Sequence, residues 1–298
     1  MWIRAIVTLI ICFCLVLCIA ALPNLVQIVI DPSKAEATLH NVLGDMRGYV
    51  TGIADGKSFY YEHFLDFRGM DPTTELRSYF KEMSPLFLYS AANLSFAGTL
   101  ALLSGLIVGF LLAKSGGWIR QILDFLVSVP DFAVAFVLQL SVVFIYKQTE
   151  VLIAEVYSTH SDIAYFLPFL TIFYVPFVYV VKQVAETVYQ ILTEDYIRTA
   201  KAKGLAKRTI YPRHVLRNVL PVIESDLYRL SAFMTGNMIV VEVLFNSPGI
   251  TRFLFSEYVW SGYATRVNHL LTLIMVYLLL YLAMKGVIAA LKRRYAHD

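Results

Sequence analysis

Long apolar runs separated by polar connections dominate the chain. Crossing roughly 30 Å of hydrocarbon takes about 20 largely uncharged helical residues. Six runs meet that demand: 5–30, 86–113, 122–146, 163–181, 219–245 and 270–291. Pro130, Pro168, Pro176 and Pro221 fall in or beside them; buried membrane helices tolerate proline as a kink when neighbours satisfy the freed carbonyls. In the second run Gly105 and Gly109 stand in GxxxG spacing with Gly98 a heptad earlier, which predicts close helix packing within the chain. The pattern predicts an all-α, polytopic membrane protein of about six transmembrane helices. Its organisation is a first helix at 1–30, an external segment at 31–85, a core at 86–291 containing a basic connection at 186–218, and a tail at 292–298.

Composition supports the bilayer as solvent. Of 298 residues 58% are hydrophobic and 16% charged, against about 25% charged in a soluble domain. The first run is longer than a signal-peptide core and lacks a small-residue cleavage site, so it is expected to be retained. Leu17 before Cys18 is too bulky for a lipidation site. Cys12, Cys14 and Cys18 all lie in this run and are expected as small buried apolar side chains, with no disulfide framework. A net charge of +3, scattered outside one loop, gives no nucleic-acid footprint.

Charge placement sets the orientation. The connection 182–218 carries eight basic residues against three acids, and an excess of Lys and Arg marks cytoplasmic loops. Both termini are then expected in the cytoplasm, with 147–162 and the 31–85 segment outside. That segment carries nine acids and six basic residues. Asp71–Pro72 is a good helix start and predicts an amphipathic helix to about Met83. Phe59, Tyr60, Tyr61, Phe64 and Phe67 form an aromatic cluster, expected as an interface anchor ahead of a partner-docking patch.

No catalytic constellation or metal site is expected. The six histidines are dispersed without HExxH spacing, and no GxSxG elbow occurs. Gly56–Lys57–Ser58 resembles the end of a phosphate-binding loop, but Thr51 stands where that motif requires glycine. Intramembrane polar residues are the remaining candidates, because a charge at depth is expensive. Asp131 is expected about ten residues into the third span, roughly 15 Å along it at 1.5 Å per residue. Glu242 falls near the outer end of the fifth. Gln139 and Asn237 add intramembrane polarity, as pathway lining or as interhelical hydrogen-bonding groups.

The most informative stretch joins the fourth and fifth spans and reads as two short helices. Tyr196, Ile197, Ala200 and Leu205 form an apolar strip, and Gly204 ends the first helix with a positive φ. The run DYIRTAKAKGL from Asp195 to Leu205, with RHVLRN from Arg213 to Asn218 and then Leu220–Pro221, resembles the ATPase-coupling motif of permease subunits of bacterial ABC importers for dipeptides, oligopeptides and nickel. Supporting similarity lies in SVPDF from Ser128 to Phe132, EVLF from Glu242 to Phe245 and Pro248–Gly249. The resemblance covers roughly 86–291, and the first 85 residues agree only in layout. Arg198–Thr199–Ala200 stands where the general importer motif has Glu-Ala-Ala, which is usual in this branch. Asp131 departs from the small or neutral residue the branch usually carries there.

The resemblance implies a type I ABC importer permease in the bacterial inner membrane, most readily for peptides. Glu194, Asp195, Tyr196, Ala200, Gly204, Leu205 and Arg213 would then be coupling residues. The implied partners are a second homologous permease, two ABC ATPases, an extracytoplasmic substrate-binding protein and membrane lipid. It implies no cofactor in this chain, ATP and Mg belonging to the partner ATPases, so the chain is not itself expected to be an enzyme. The alternatives are an importer of nickel or a metal chelate and, in another class, a non-transporting membrane scaffold.

Overall fold

The computed structural model describes residues 2–65, 73–159, 161–206, 210–255 and 262–296. Among these, six helices are long and apolar enough to cross a membrane. The chain divides into two compact units, Met1–Leu88 with Gly249–Met275, and Tyr89–Pro248 with Val276–Asp298.

The first unit begins with α1 (Trp2–Ile30). Asp31 then accepts a hydrogen bond from the Ser33 backbone ahead of a short 3-10 turn, Pro32–Lys34, that leads into α2 (Ala35–Ala54). α2 lies in the segment expected as an external connection, where Leu39, Val42, Leu43, Met46, Val50 and Ile53 recur at helical spacing. The helix-start rule applied above to Asp71–Pro72 operates here, at Asp31–Pro32. Asp71 and Pro72 themselves lie outside the described residues. The helix expected to run on from them is corrected: Thr73–Ser78 is a strand, β2, paired antiparallel with β1 (Tyr60–Leu65) in the register Tyr61↔Arg77. Aromatic and β-branched side chains favour that pairing over a helical turn.

Within this unit α1 buries Val16, Leu17, Ala20 and Ala21 against Val42 and Tyr49 of α2 and against Tyr263 and Val267. Cys12, Cys14 and Cys18 are free and exposed, which corrects the expectation of burial. The packed stripe of α1 is taken by the other four residues, and lipid accepts a thiol side chain as readily as a protein core does. Of the aromatic cluster, Phe59 packs on Phe80 with centroids 4.8 Å apart, and Tyr61 is buried edge-on to Phe253 at 5.5 Å. These two rings pack within the unit, whereas Tyr60 is exposed. Phe67 and the Phe64 side chain lie outside the described residues.

The remaining elements are α3 (Tyr79–Leu112), α4 (Gly117–Ser128), α5 (Asp131–Thr149), α6 (Phe166–Thr193), α7 (Asp195–Ala202), a π-turn (Tyr211–Leu216), α8 (Arg217–Leu244), α9 (Ile250–Leu254) and α10 (Tyr263–Ala296). In the second unit α3 lies close on α6, as its glycines predict. A Cβ at Gly105 would stand 2.8 Å from Val180, and one at Gly109 2.6 Å from Val184. Leu123 of α4 packs with Val178 and Val181 of α6. An ion pair of 2.6 Å between Lys182 and Asp124 and the Arg120 guanidinium 4.0 Å over the Tyr189 ring reinforce that contact. Since α6 continues to Thr193, the connection proper starts at Glu194.

The third apolar run is not one kinked helix. Val129 and Pro130 are both extended, and they separate α4 from α5. Proline disfavours the helical region for the residue before it, and an acid suits the first turn of the helix that follows.

The sixth run also extends further than its hydropathy implies. At the N-terminal end of α10, Arg266, Asn268 and His269 are buried. Arg266 donates to the Ala20 carbonyl (2.8 Å) and to Asn24 Oδ1 (3.1 Å) on α1. Asn268 accepts from the Tyr49 hydroxyl (2.7 Å) and donates to the Ser58 carbonyl (2.8 Å). Burial pushes the Tyr49 hydroxyl pKa up to about 12, so this network keeps its proton.

Candidate functional site

The connection between α6 and α8 begins at Glu194. Its backbone is extended, its side chain caps nothing, and its carbonyl accepts from the amides of Ile197 (3.1 Å) and Arg198 (3.2 Å), which starts α7. The other end of α7 is a Schellman cap: the Leu205 amide bonds back to the Ala200 carbonyl (3.2 Å) and the Gly204 amide to that of Lys201 (3.0 Å). Gly204 supplies the required left-handed residue, with φ +77°. Nothing stands within 4 Å of the position its Cβ would take, so glycine is needed for the backbone angle and not for space.

The apolar strip divides in two. Ile197 and Ala200 are buried, whereas Tyr196 (44%) and Leu205 (41%) remain exposed. Asp195 is open to solvent and pairs with Arg198 at 3.4 Å. The Tyr196 hydroxyl accepts from Asn218 Nδ2 (3.0 Å), which links α7 to the first turn of α8. Asn218 in turn donates to the His214 carbonyl in the π-turn (2.8 Å). α7 is therefore a short, capped helix held by two inward side chains and one polar link, presenting an acid, an aromatic ring, a leucine and Lys201 and Lys203 outward. Lys207 and Arg208 lie outside the described residues, as does the side chain of Arg213.

The four intramembrane candidates do not form one cluster. Asp131 and Asn237 line a common cavity of about 340 Å3 with Ser128, Phe132 and Phe233. Asp131 is the first residue of α5, so it stands at the start of its span and not at the depth expected above. Gln139 donates to the Val156 carbonyl (3.1 Å) of the 150–165 connection. Ser158 ties the same connection to the end of α8: its amide bonds to the Phe245 carbonyl (2.9 Å), and its carbonyl accepts from Asn246 (2.9 Å). Glu242 is buried and accepts from the Ser90 hydroxyl of α3. Gln139 and Glu242 thus brace the fold in this structure. Asn237 with Asp131 was not foreseeable as a pair, because their juxtaposition depends on how α8 crosses the α4–α5 break.

Residues 101–297 match the family described as "Binding-protein-dependent transport system inner membrane component". The chain is also similar to the glutathione transport system permease protein GsiC of Escherichia coli (strain K12) and of Shigella flexneri serotype 5b (strain 8401), with 32% identity over 101 residues in each. The aligned stretch is 34% of this chain and 33% of those proteins, about a third of the length of the curated relatives it matches.

Proposed function

The chain belongs to the family of binding-protein-dependent transport system inner membrane components, and from that premise we propose that it is a permease subunit of an ATP-driven importer, forming half of a solute pathway. The observation that carries this reading is α7. It is rigidly capped, it buries Ile197 and Ala200 inward, and it offers Asp195, Tyr196 and Leu205 to a partner. One of two ATPase subunits, which together hold ATP and Mg and carry out hydrolysis, would seat on this face, and the other on the second permease. A second, homologous permease completes the pathway, and an extracytoplasmic binding protein delivers the solute.

Motion applied to α7 has two routes onward. The single-residue junction at Glu194 joins α7 directly to the end of α6, and the Tyr196–Asn218 bond carries the motion to the start of α8. The two flanking helices would move together as the importer alternates access between the two sides. The basic excess around α7 puts it and both termini in the cytoplasm, with the inner membrane as location. Peptide is the solute class we favour, because the relatives are named for glutathione, a tripeptide; the DYIRTAKAKGL run resembles that of the branch that takes dipeptides, oligopeptides and nickel, and does not itself choose among them.

Replacing Gly204 by valine tests the assignment. A β-branched residue at φ +77° is strained by about 1–2 kcal/mol or more, which loosens the cap. The variant is expected to insert into the membrane, to lose its ATPases on purification and to show little solute-stimulated hydrolysis. A Gly204→Val importer that retains its ATPases and transports at the normal rate would refute the role of α7. A scaffold that moves no solute would show no uptake even in the wild-type complex.

A further inference from the structure

The extended Val129–Pro130 pair and the first turn of α5 face Val175 of α6 and Phe233, Asn237 and Val240 of α8 across the 340 Å3 cavity. Asp131 Oδ2 is screened from water and has no hydrogen-bond partner among the described residues. A carboxylate in such surroundings is costly unless paired. The N-terminus of α5 offsets only part of that cost, typically about 0.3–1 kcal/mol. We propose that this cavity is a binding site for an organic cation, a protonated amine or a guanidinium, with Asp131 as its counter-charge.

The surroundings select that ligand class. Phe132 and Phe233 are about half exposed, and aromatic faces attract alkylammonium and guanidinium groups. Asn237 adds an amide oxygen for an N–H donor. One carboxylate and one amide fall far short of the six to eight oxygens that calcium takes or the octahedron magnesium demands, so a bare divalent cation is poorly served. Anionic groups meet an unpaired like charge. Within the importer reading, on which its biological role rests, the site would favour solutes carrying a positive group; binding itself does not depend on that reading.

The probes are benzamidinium and its neutral isostere benzamide, titrated against the purified full-length chain by saturation-transfer NMR and thermal shift. Benzamidinium is expected to bind and benzamide not. Asp131→Asn should weaken benzamidinium at least roughly tenfold, as the loss of a close ion pair away from bulk water implies, while Asp131→Glu retains binding. Equal binding of the two probes, or an unchanged affinity in Asp131→Asn, overturns the proposal, provided the variant melts like the wild type. Should Asp131→Asn melt lower, Phe233→Leu is the second test, and unchanged benzamidinium affinity there overturns the aromatic part of the site. Uptake of lysyl-lysine and of N-acetyl-alanyl-alanine by the assembled importer separates the two readings. Uptake of neither, with benzamidinium binding still dependent on Asp131, refutes the importer for peptides and leaves the site standing. Uptake of both, unaffected by Asp131→Asn, refutes a role for the site in solute choice.

Discussion

Replacing Gly109 by alanine puts one methyl group into the closest approach at any described glycine of the second unit. Its Cβ would lie 2.6 Å from Val184 Cβ, 2.8 Å from Val184 Cγ1 and 2.9 Å from the Val181 carbonyl oxygen. Carbon atoms in good contact sit about 3.5–4.0 Å apart, so α3 and α6 have to part by roughly 1 Å. Rotating a side chain gives no relief, because the Cβ and the carbonyl oxygen are fixed to the helix itself. Overpacking of this kind costs about 1–3 kcal/mol. Alanine also gains up to about 1 kcal/mol over glycine inside a helix. With the full alanine gain the net loss is about 0–2 kcal/mol, and relative to a glycine-to-alanine change in open space it is the whole overpacking cost. Gly286 of α10 supplies the control, since nothing lies within 4 Å of its would-be Cβ; Gly286→Ala should be neutral or slightly stabilising. Equilibrium unfolding of both variants in detergent, read by circular dichroism against denaturant, measures the difference. Trimming Val184 to alanine as well leaves the two nearest fixed atoms in place, so Gly109→Ala/Val184→Ala should recover little. Gly109→Ala as stable as Gly286→Ala, or full rescue by the second substitution, would refute this account of the α3–α6 contact.

Arg266→Met keeps an unbranched stem in the buried site but removes the donors to Ala20 and Asn24 of α1. It should destabilise the first unit by about 2–3 kcal/mol and speed hydrogen exchange around 20–24; unchanged exchange there would show that packing alone holds α1. A cysteine at Lys203, an exposed position beside the Gly204 cap, should react with an impermeant maleimide only after the cells are opened. Labelling from outside intact cells would invert the orientation drawn from the basic residues.

Much of the architecture is written in short stretches of sequence. A run of apolar residues answers to the bilayer wherever its neighbours lie, so six spans are legible from hydropathy alone. The cap of α7 is equally local: Ala200, Lys201, Gly204 and Leu205 settle it within six residues, and the sign of φ at Gly204 follows from the turn. Gly105 and Gly109 announce a close approach, although not that the partner would be Val180 and Val184.

What the sequence left open depends on segments far apart in the chain. The rule for a helix start is local, but Asp31–Pro32 and Asp71–Pro72 satisfy it equally; pairing with Tyr60–Leu65 draws 73–78 into a strand. Proline in a membrane run is compatible with a kink or a break, and the extended Val129 shows that Pro130 makes a break. That break moves Asp131 from the middle of a presumed span to the head of a helix, and only the crossing of α8 sets Asn237 beside it. Arg266 lies just outside the apolar run of its helix and so gives no hydropathy signal, yet it is buried, with its Nε–H donating a hydrogen bond to the carbonyl of Ala20, 246 positions away in sequence. Local periodicity determines which segments are helices and where they cap. Which polar groups meet is decided by tertiary packing, because a buried donor or acceptor has to find its partner in space and carries no mark of that partner in its own stretch of chain.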